Sequence, residues 1–120
     1  AVLSGDDALT LPVCSIGGRG VISVAGNVEP ERTVELVDAA IEGDLERTRE
    51  LHYELSPLFR QLFVETNPIP VKAAMAIRGH NSGALRPPLT EIEPENRADL
   101  ERVLAELDGS ETQREQTEAV

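Results

Sequence analysis

Two adjacent carboxylates, Asp6 and Asp7, stand in a polar turn near the amino end of the sequence. Paired carboxylates can divide general acid and base work between them when their surroundings push their pKa values apart. A structural role is the alternative, because an aspartate beside a helix start accepts hydrogen bonds from free backbone N–H groups. A helical pattern follows directly, so we expect both carboxylates to cap or brace this loop.

Lys72 is the sole lysine of the chain, and lysine is the residue that forms Schiff bases with carbonyl substrates. A lysine with that function needs a desolvated amine whose pKa is lowered. Lys72 instead follows a proline-rich turn, Asn67 to Pro70, at the start of a predicted helix. We therefore expect Lys72 to have a structural role.

A second candidate is the glycine-rich segment Gly17-Gly18-Arg19-Gly20, which could form a loop that cradles phosphate. This segment precedes a predicted strand, whereas the phosphate-binding loops of barrel enzymes follow their strands. We expect it at the amino-terminal edge of the strands, where residues serve stability.

The possible metal ligands are few. Cys14 is the sole cysteine, which excludes an internal disulfide, and the two histidines, His52 and His80, have no partners at zinc-site spacing. We expect Cys14 to be a small buried residue and both histidines to be packing or surface residues. No metal and no organic cofactor is expected.

These residues must be positioned by two short strands. The β-branched run Gly20–Val24 carries no strongly polar side chain and predicts a strand that is buried on both faces. Ala1 to Leu3 predicts the end of an earlier strand. A short helix between them, capped by Thr10, predicts a parallel pair. In such βα folds the chemistry lies at the carboxyl end of the strands, here Ala25 to Asn27.

Helical patterns fill the rest of the chain. The first begins near Pro30 and ends at Gly43, and a longer one runs from Asp44 to about Val64 with Pro57 inside it. Further helices are expected from Pro70 to about Ile77 and from Pro94 to Leu107. The expected apolar faces comprise Leu9, Val13 and Ile16; Val34, Val37 and Ile41; Leu51, Leu55, Leu58, Phe59, Leu62 and Phe63; and Leu100, Val103, Leu104 and Leu107.

Composition narrows the class of protein. The net charge of −11 repels phosphate backbones and anionic lipid, so we expect neither nucleic acid nor a membrane as partner. No apolar run is long enough to span a bilayer and no leader pattern precedes the first strand, so a cytoplasmic location is expected. Because the sequence lacks an initiator methionine, we expect a piece of a longer chain. The excess of carboxylates and arginine is typical of salt-adapted proteins, with an ordinary acidic domain as the alternative.

Three segments taken in order resemble the carboxyl-terminal part of the dihydrodipicolinate synthase family, also called 4-hydroxy-tetrahydrodipicolinate synthases. They are Ser4-Gly5-Asp6-Asp7, Gly20-Val21-Ile22-Ser23-Val24 with Asn27, and Phe63-Val64-Glu65-Thr66-Asn67-Pro68-Ile69-Pro70-Val71-Lys72. The last segment is the most specific, and its Glu65 and Asn67 are expected to fix a turn. The second segment is shared with sibling pyruvate aldolases.

The resemblance implies an α/β fold, the C-terminal fragment of a (β/α)8 TIM barrel. Residues 1–43 would supply strands seven and eight with their helices, residues 44–108 a small all-helical domain, and residues 109–120 a polar disordered tail. It also implies a homotetrameric lyase of lysine and diaminopimelate biosynthesis. That enzyme condenses pyruvate with aspartate semialdehyde through a Schiff base on a lysine.

In the family that lysine ends strand six, so the resemblance places it, with a proton-relaying tyrosine, before Ala1. No catalytic residue is therefore expected in this chain, which alone should be inactive. Two residues are expected to bind substrate: Ile22 through its main-chain carbonyl, and Gly5 as part of the pocket wall. The alternatives are a sibling enzyme, such as N-acetylneuraminate lyase or a keto-deoxy-sugar aldolase, and a non-catalytic helical interaction module.

Overall fold

The computed structural model describes residues 1–118, with only the backbone described for Glu118. Within this range the chain forms five α-helices and two short 3-10 turns, Asp7–Leu9 and Ala25–Asn27. The helices are α1, Thr10–Ser15; α2, Pro30–Glu42; α3, Leu45–Gln61; α4, Ile69–Ile77; and α5, Pro94–Glu118.

Neither predicted strand forms a regular β-strand among residues 1–118, although the two segments are joined in the expected parallel sense by a single bridge between Ser4 and Val21. The Ser4 amide donates to the Gly20 carbonyl and the Ile22 amide donates to the Ser4 carbonyl, both at 2.8 Å. The predicted strand over Gly20–Val24 is therefore too long. Val24 already has helical backbone angles at the start of the 3-10 turn Ala25–Asn27, and its amide donates to the Asp7 carboxylate instead of to a neighbouring strand.

The expected burial of this segment on both faces is also wrong for the part of the chain described. The Ile22 side chain is 73% exposed, and Val2, Leu3, Leu9 and Ile16 are exposed too. On α2 the buried side chains include Leu36 and Ala39, whereas Val34 and Ile41 of the predicted stripe are exposed. The predicted apolar faces of both βα units are thus only partly buried among the described residues.

The core lies among α2, α3, α4 and α5. The predicted stripes of α3 and α5 are buried apart from Phe63, which follows the end of α3 and is 46% exposed. The side chains of one continuous cluster are Ala25, Val28, Leu36, Leu51, Leu55, Leu58, Phe59, Leu62, Val71, Ala73, Ala74, Leu100, Val103, Leu104 and Leu107. This cluster crosses residue 43, so apolar packing joins the two predicted domains.

Local chemistry explains most helix boundaries. Gly43 ends α2 with φ of +80°, a conformation that glycine adopts without strain. Asp44 caps α3 by accepting the Arg47 amide at 3.1 Å. Thr10 is the first residue of α1 rather than its cap, and its hydroxyl donates to the Asp7 carbonyl at 2.8 Å.

The polar tail predicted from Gly109 is instead part of α5, which continues to Glu118. Its side chains anchor on α3: Ser110 donates to Glu54 at 3.1 Å, and Arg114 forms an ion pair with the same carboxylate. Sequence patterning missed this because the segment lacks an apolar stripe. Residues 119 and 120 of the predicted tail lie outside the described residues.

Candidate functional site

The parallel bridge places the two expected substrate-binding residues side by side. Gly5 directly follows Ser4 and Ile22 directly follows Val21, so both leave the paired segments at the carboxyl edge. The glycine-rich segment that ends at Gly20 lies at the opposite, amino-terminal side of the bridge. This arrangement agrees with the expectation that Gly17 to Gly20 serve the framework.

Both candidate residues face open space. A Cβ added at Gly5 would meet no atom within 4 Å. Among residues 1–118, no hydrogen-bond donor reaches the Ile22 carbonyl, whose amide is already held by Ser4. A carbonyl with free lone pairs can accept a hydrogen bond from a ligand. Gly5 and the Ile22 carbonyl therefore leave open space at the carboxyl edge of the bridge.

The carboxylates of Asp6 and Asp7 are structural, as expected, although only Asp6 caps the 3-10 turn Asp7–Leu9. Asp6 accepts the Ala8 amide at 3.1 Å and so caps the first 3-10 turn. Asp7 is only 2% exposed and reaches across to the second paired segment. It accepts hydrogen bonds from the Ser23 hydroxyl and, at 3.0 Å each, from the Val24 and Ala25 amides.

The role of Asp7 escaped sequence reasoning, although a signal was present. Ser23 is the one hydroxyl residue in an apolar run, and a hydroxyl buried in such a run needs a hydrogen-bond partner. Its partners are Asp7 and the Gly26 amide, which donates to the Ser23 hydroxyl at 2.7 Å. The loop after the first paired segment is thus joined to the loop after the second.

Lys72 lies on α4. Its Nζ donates to the Ala84 carbonyl at 3.0 Å and so holds the loop between α4 and α5. This contact agrees with the structural role expected for Lys72. Glu65 also acts near the helical region, since it accepts the Glu93 amide at 3.0 Å and the Asn96 side-chain amide at 2.9 Å. These bonds hold the start of α5.

The remaining candidate ligands do not gather at the site. His52 lies on α3, where burial lowers the pKa of its imidazole below the usual value, and its ring meets that of Tyr53 edge-on. His80 lies in the loop after α4, and Cys14, a free thiol on α1, is partly buried. Among residues 1–118 no three His, Cys, Asp or Glu side chains converge as metal ligands.

A cluster of buried ion pairs joins α2 to the other helices through Arg32. Arg32 on α2 is 4% exposed and pairs with Glu29 at 3.0 Å and Glu54 at 3.1 Å. It also donates to the Leu107 carbonyl at 2.7 Å. Arg78 pairs with Glu29 at 2.6 Å. The first turn of α2, which follows the candidate site, is therefore linked to Glu54 on α3, to Leu107 on α5 and to Arg78 at the end of α4.

Comparison with known proteins fits this architecture. The Dihydrodipicolinate synthetase family model matches residues 1–107. The 4-hydroxy-tetrahydrodipicolinate synthase of Natronomonas pharaonis is 61% identical over 107 residues, which are 89% of this chain and 36% of that protein. No helix among the described residues is both long and apolar enough to cross a membrane.

Solved structures show the same relationship. The crystal structure of dihydrodipicolinate synthase from Aquifex aeolicus matches with a TM-score of 0.88 and 54% identity, over 90% of this chain and 37% of that one. The enzyme from Acinetobacter baumannii, complexed with pyruvate, matches with a TM-score of 0.87 and 34% identity, over 90% of this chain and 37% of that one. The chain thus spans little more than a third of these relatives, which are TIM-barrel enzymes, and it belongs to the Dihydrodipicolinate synthetase family.

Proposed function

We propose that this chain is the C-terminal part of a 4-hydroxy-tetrahydrodipicolinate synthase and supplies one wall of its pyruvate site. The paired segments are then strands seven and eight of a (β/α)8 barrel, and residues 44–108 form the helical domain behind them. The observation that carries the proposal is the parallel bridge of Ser4 with Val21 in a chain of this family. It brings Gly5 and Ile22 to the carboxyl edge, where barrel enzymes bind substrate.

The proposed reaction needs an amine that this wall does not supply. A lysine amine attacks the keto carbon of pyruvate, a carbon–nitrogen bond forms, and the keto oxygen leaves as water. The methyl carbon then loses a proton and bonds to the aldehyde carbon of aspartate semialdehyde, whose oxygen takes up a proton and becomes a hydroxyl group. The amino group of the semialdehyde finally attacks the imine carbon, which closes the ring and releases the lysine amine. Lys72, on α4, donates a hydrogen bond to the Ala84 carbonyl in the following loop, so we propose that the reactive lysine lies outside residues 1–120.

Within this site each residue has a limited task. The free Ile22 carbonyl accepts a hydrogen bond from the protonated nitrogen of the lysine–pyruvate adduct. Gly5 leaves room for the keto acid, because a side chain at this position would extend into the open space beside Ile22. Neither residue transfers a proton, which agrees with the absence of a catalytic role for them in the sequence analysis.

The exposed apolar residues support the larger assembly. Val2, Ile16 and Ile22 are at least 67% exposed, which an isolated small domain avoids. We propose that barrel segments outside this chain cover them, and that the whole protein is a cytoplasmic homotetramer. Light scattering of the full-length protein measures the assembly directly, and a monomer would overturn the tetramer.

The function is tested by incubating the full-length protein with pyruvate and borohydride, followed by mass spectrometry. We expect a reduced pyruvyl adduct on one lysine outside residues 1–120. In turnover assays, aspartate semialdehyde is expected to be condensed at least about tenfold faster than sugar aldehydes, the discrimination that one well-placed polar contact provides. Preference for a sugar aldehyde would instead identify a sibling aldolase. Absence of any adduct would refute the proposed chemistry.

A further inference from the structure

We propose that Asp7 is a positioning residue for the keto-acid site, because its carboxylate fixes the peptide unit that carries the Ile22 carbonyl. This inference rests on the proposed function, which assigns that carbonyl to the pyruvate adduct. Asp7 itself does not touch the substrate in this account. It acts through Ser23 and the two backbone amides that follow.

The Asp7 carboxylate accepts three hydrogen bonds from the segment that follows Ile22. One carboxylate oxygen accepts the Ser23 hydroxyl, and the other accepts the Val24 and Ala25 amides at 3.0 Å each. Asp7 is 2% exposed, so water cannot replace these bonds. Hydrogen bonds to an ionised carboxylate are shorter and stronger than those between neutral groups. The segment after Ile22 is therefore held to one conformation.

The peptide unit between Ile22 and Ser23 is restrained on both sides. On its amino side the Ile22 amide donates to the Ser4 carbonyl at 2.8 Å. On its other side the Ser23 hydroxyl is held by Asp7 and by the Gly26 amide, which donates to it at 2.7 Å. The Ile22 carbonyl lies between these two restraints and has no partner of its own among residues 1–118. Its direction is thus set by its neighbours.

Gly5 is linked to the same peptide unit. Gly5 lies between Ser4 and Asp7, the two residues that restrain Ile22 and Ser23. The Ser4 hydroxyl donates to the Asp6 carbonyl at 2.7 Å and keeps this loop closed. A change at Asp7 therefore alters the spacing between Gly5 and the Ile22 carbonyl. Precise spacing of this kind determines how well a site holds its ligand.

The test uses Asp7→Asn in the full-length protein, with Asp44→Asn as the matched control. Asparagine keeps the shape of Asp7 but replaces one acceptor oxygen with an amino group, which must face either the Ser23 hydroxyl or the two amides. Asp44 also accepts a backbone amide, from Arg47 at 3.1 Å, but lies at the start of α3 away from the site. The readout is the pyruvate concentration that half-saturates the borohydride-trapped adduct.

We expect Asp7→Asn to raise this concentration about tenfold, the factor that corresponds to one lost charge-assisted hydrogen bond. Ser23→Ala removes one of the three bonds to Asp7 together with the bond from the Gly26 amide, but it leaves the carboxylate on the Val24 and Ala25 amides, so we expect it to raise this concentration by a smaller factor. Asp44→Asn keeps the wild-type value. A merely structural role would reduce the amount of adduct formed at saturation and leave the half-saturating concentration unchanged.

Unchanged half-saturation in both Asp7→Asn and Ser23→Ala would overturn the inference. If Asp7→Asn does not fold, Ser23→Ala decides in the same way. Failure of the wild-type protein to form any adduct would instead refute the proposed function, so the two failures are distinguishable.

Discussion

Arg32 on α2 and Glu54 on α3 form an ion pair with 3.1 Å between Nε and Oε1, and their side chains are 5% and 16% exposed. Glu54 also accepts a hydrogen bond from the Ser110 hydroxyl and forms an ion pair with Arg114, both near the end of α5. The same arginine therefore connects the helix that follows the candidate site with the helix that ends the described chain. Charge inside the protein serves here to fix the relative positions of three helices.

We predict that Arg32→Met lowers the free energy of unfolding by about 1–3 kcal/mol, because the Leu107 carbonyl loses its buried donor while Glu29 and Glu54 each keep a second arginine. Urea unfolding of the full-length protein measures the change. The control is Arg102→Met, since Arg102 is 64% exposed and pairs with Asp99 at the surface. Such exposed pairs contribute about 0–1 kcal/mol. Equal effects of the two substitutions would refute the bracing role.

Alanine substitution at Gly18 and at Gly109 is expected to change the free energy of unfolding in opposite directions. At Gly18 a Cβ would lie 2.4 Å from Val13 Cγ1 and 2.7 Å from the Val13 carbonyl oxygen. Gly18→Ala should lower the free energy of unfolding by about 1–3 kcal/mol, the usual cost of overpacking. Gly109 has open space and lies inside α5. Gly109→Ala should raise it by up to about 1 kcal/mol, because alanine is the better helix former. A destabilising Gly109→Ala would contradict the helical assignment of this segment.

The partly buried imidazole of His52 is expected to make the free energy of unfolding depend on pH. Burial lowers the pKa of its imidazole in the folded chain below the ordinary value of 6.5. As the pH falls below that value, the unfolded chain binds the proton first. The stability linked to His52 is therefore complete above pH 6.5 and is lost as the pH falls through the lowered folded pKa.

The measurement is the unfolding midpoint of wild-type and His52→Gln proteins between about pH 8 and pH 5, a range that spans the ordinary histidine pKa. The wild-type midpoint should fall more steeply with acidification than that of His52→Gln. Parallel curves would show that His52 protonates equally in both states.

Lys72→Gln is predicted to leave adduct formation with pyruvate intact. The substitution removes the hydrogen bond from Nζ to the Ala84 carbonyl. Amide exchange in residues 79–93 should therefore accelerate, because this loop loses an anchor on α4. Mass spectrometry reports both quantities on one sample. Loss of the adduct from a folded Lys72→Gln protein would make Lys72 the reactive amine and contradict the proposal.

The helical region was predictable because its burial is internal to this chain. Leu51, Leu55 and Leu58 follow helical spacing, and α3 packs them against its neighbours. Pro94 likewise gave the start of α5, since proline suits the first turn of a helix. In these parts local pattern and tertiary packing agree.

The two βα units were predicted less well for a physical reason. The apolar residues Ile16, Ile22 and Val34 follow the expected pattern, yet all three are exposed, and the proposed barrel segments outside this chain would cover them. The contacts of Asp7 could not be read from spacing either, since they join loops that are sixteen to eighteen residues apart. Long-range polar contacts carry no periodic signal.

The most direct test is a crystal structure of the full-length protein after reaction with pyruvate and borohydride. We predict a pyruvyl group on a lysine outside residues 1–120. Its nitrogen should lie within about 3.2 Å of the Ile22 carbonyl oxygen, the range of a hydrogen bond, and Gly5 should lie beside its methyl or carboxylate group. A pyruvyl group on Lys72, or one without contact to Ile22 and Gly5, would contradict this prediction.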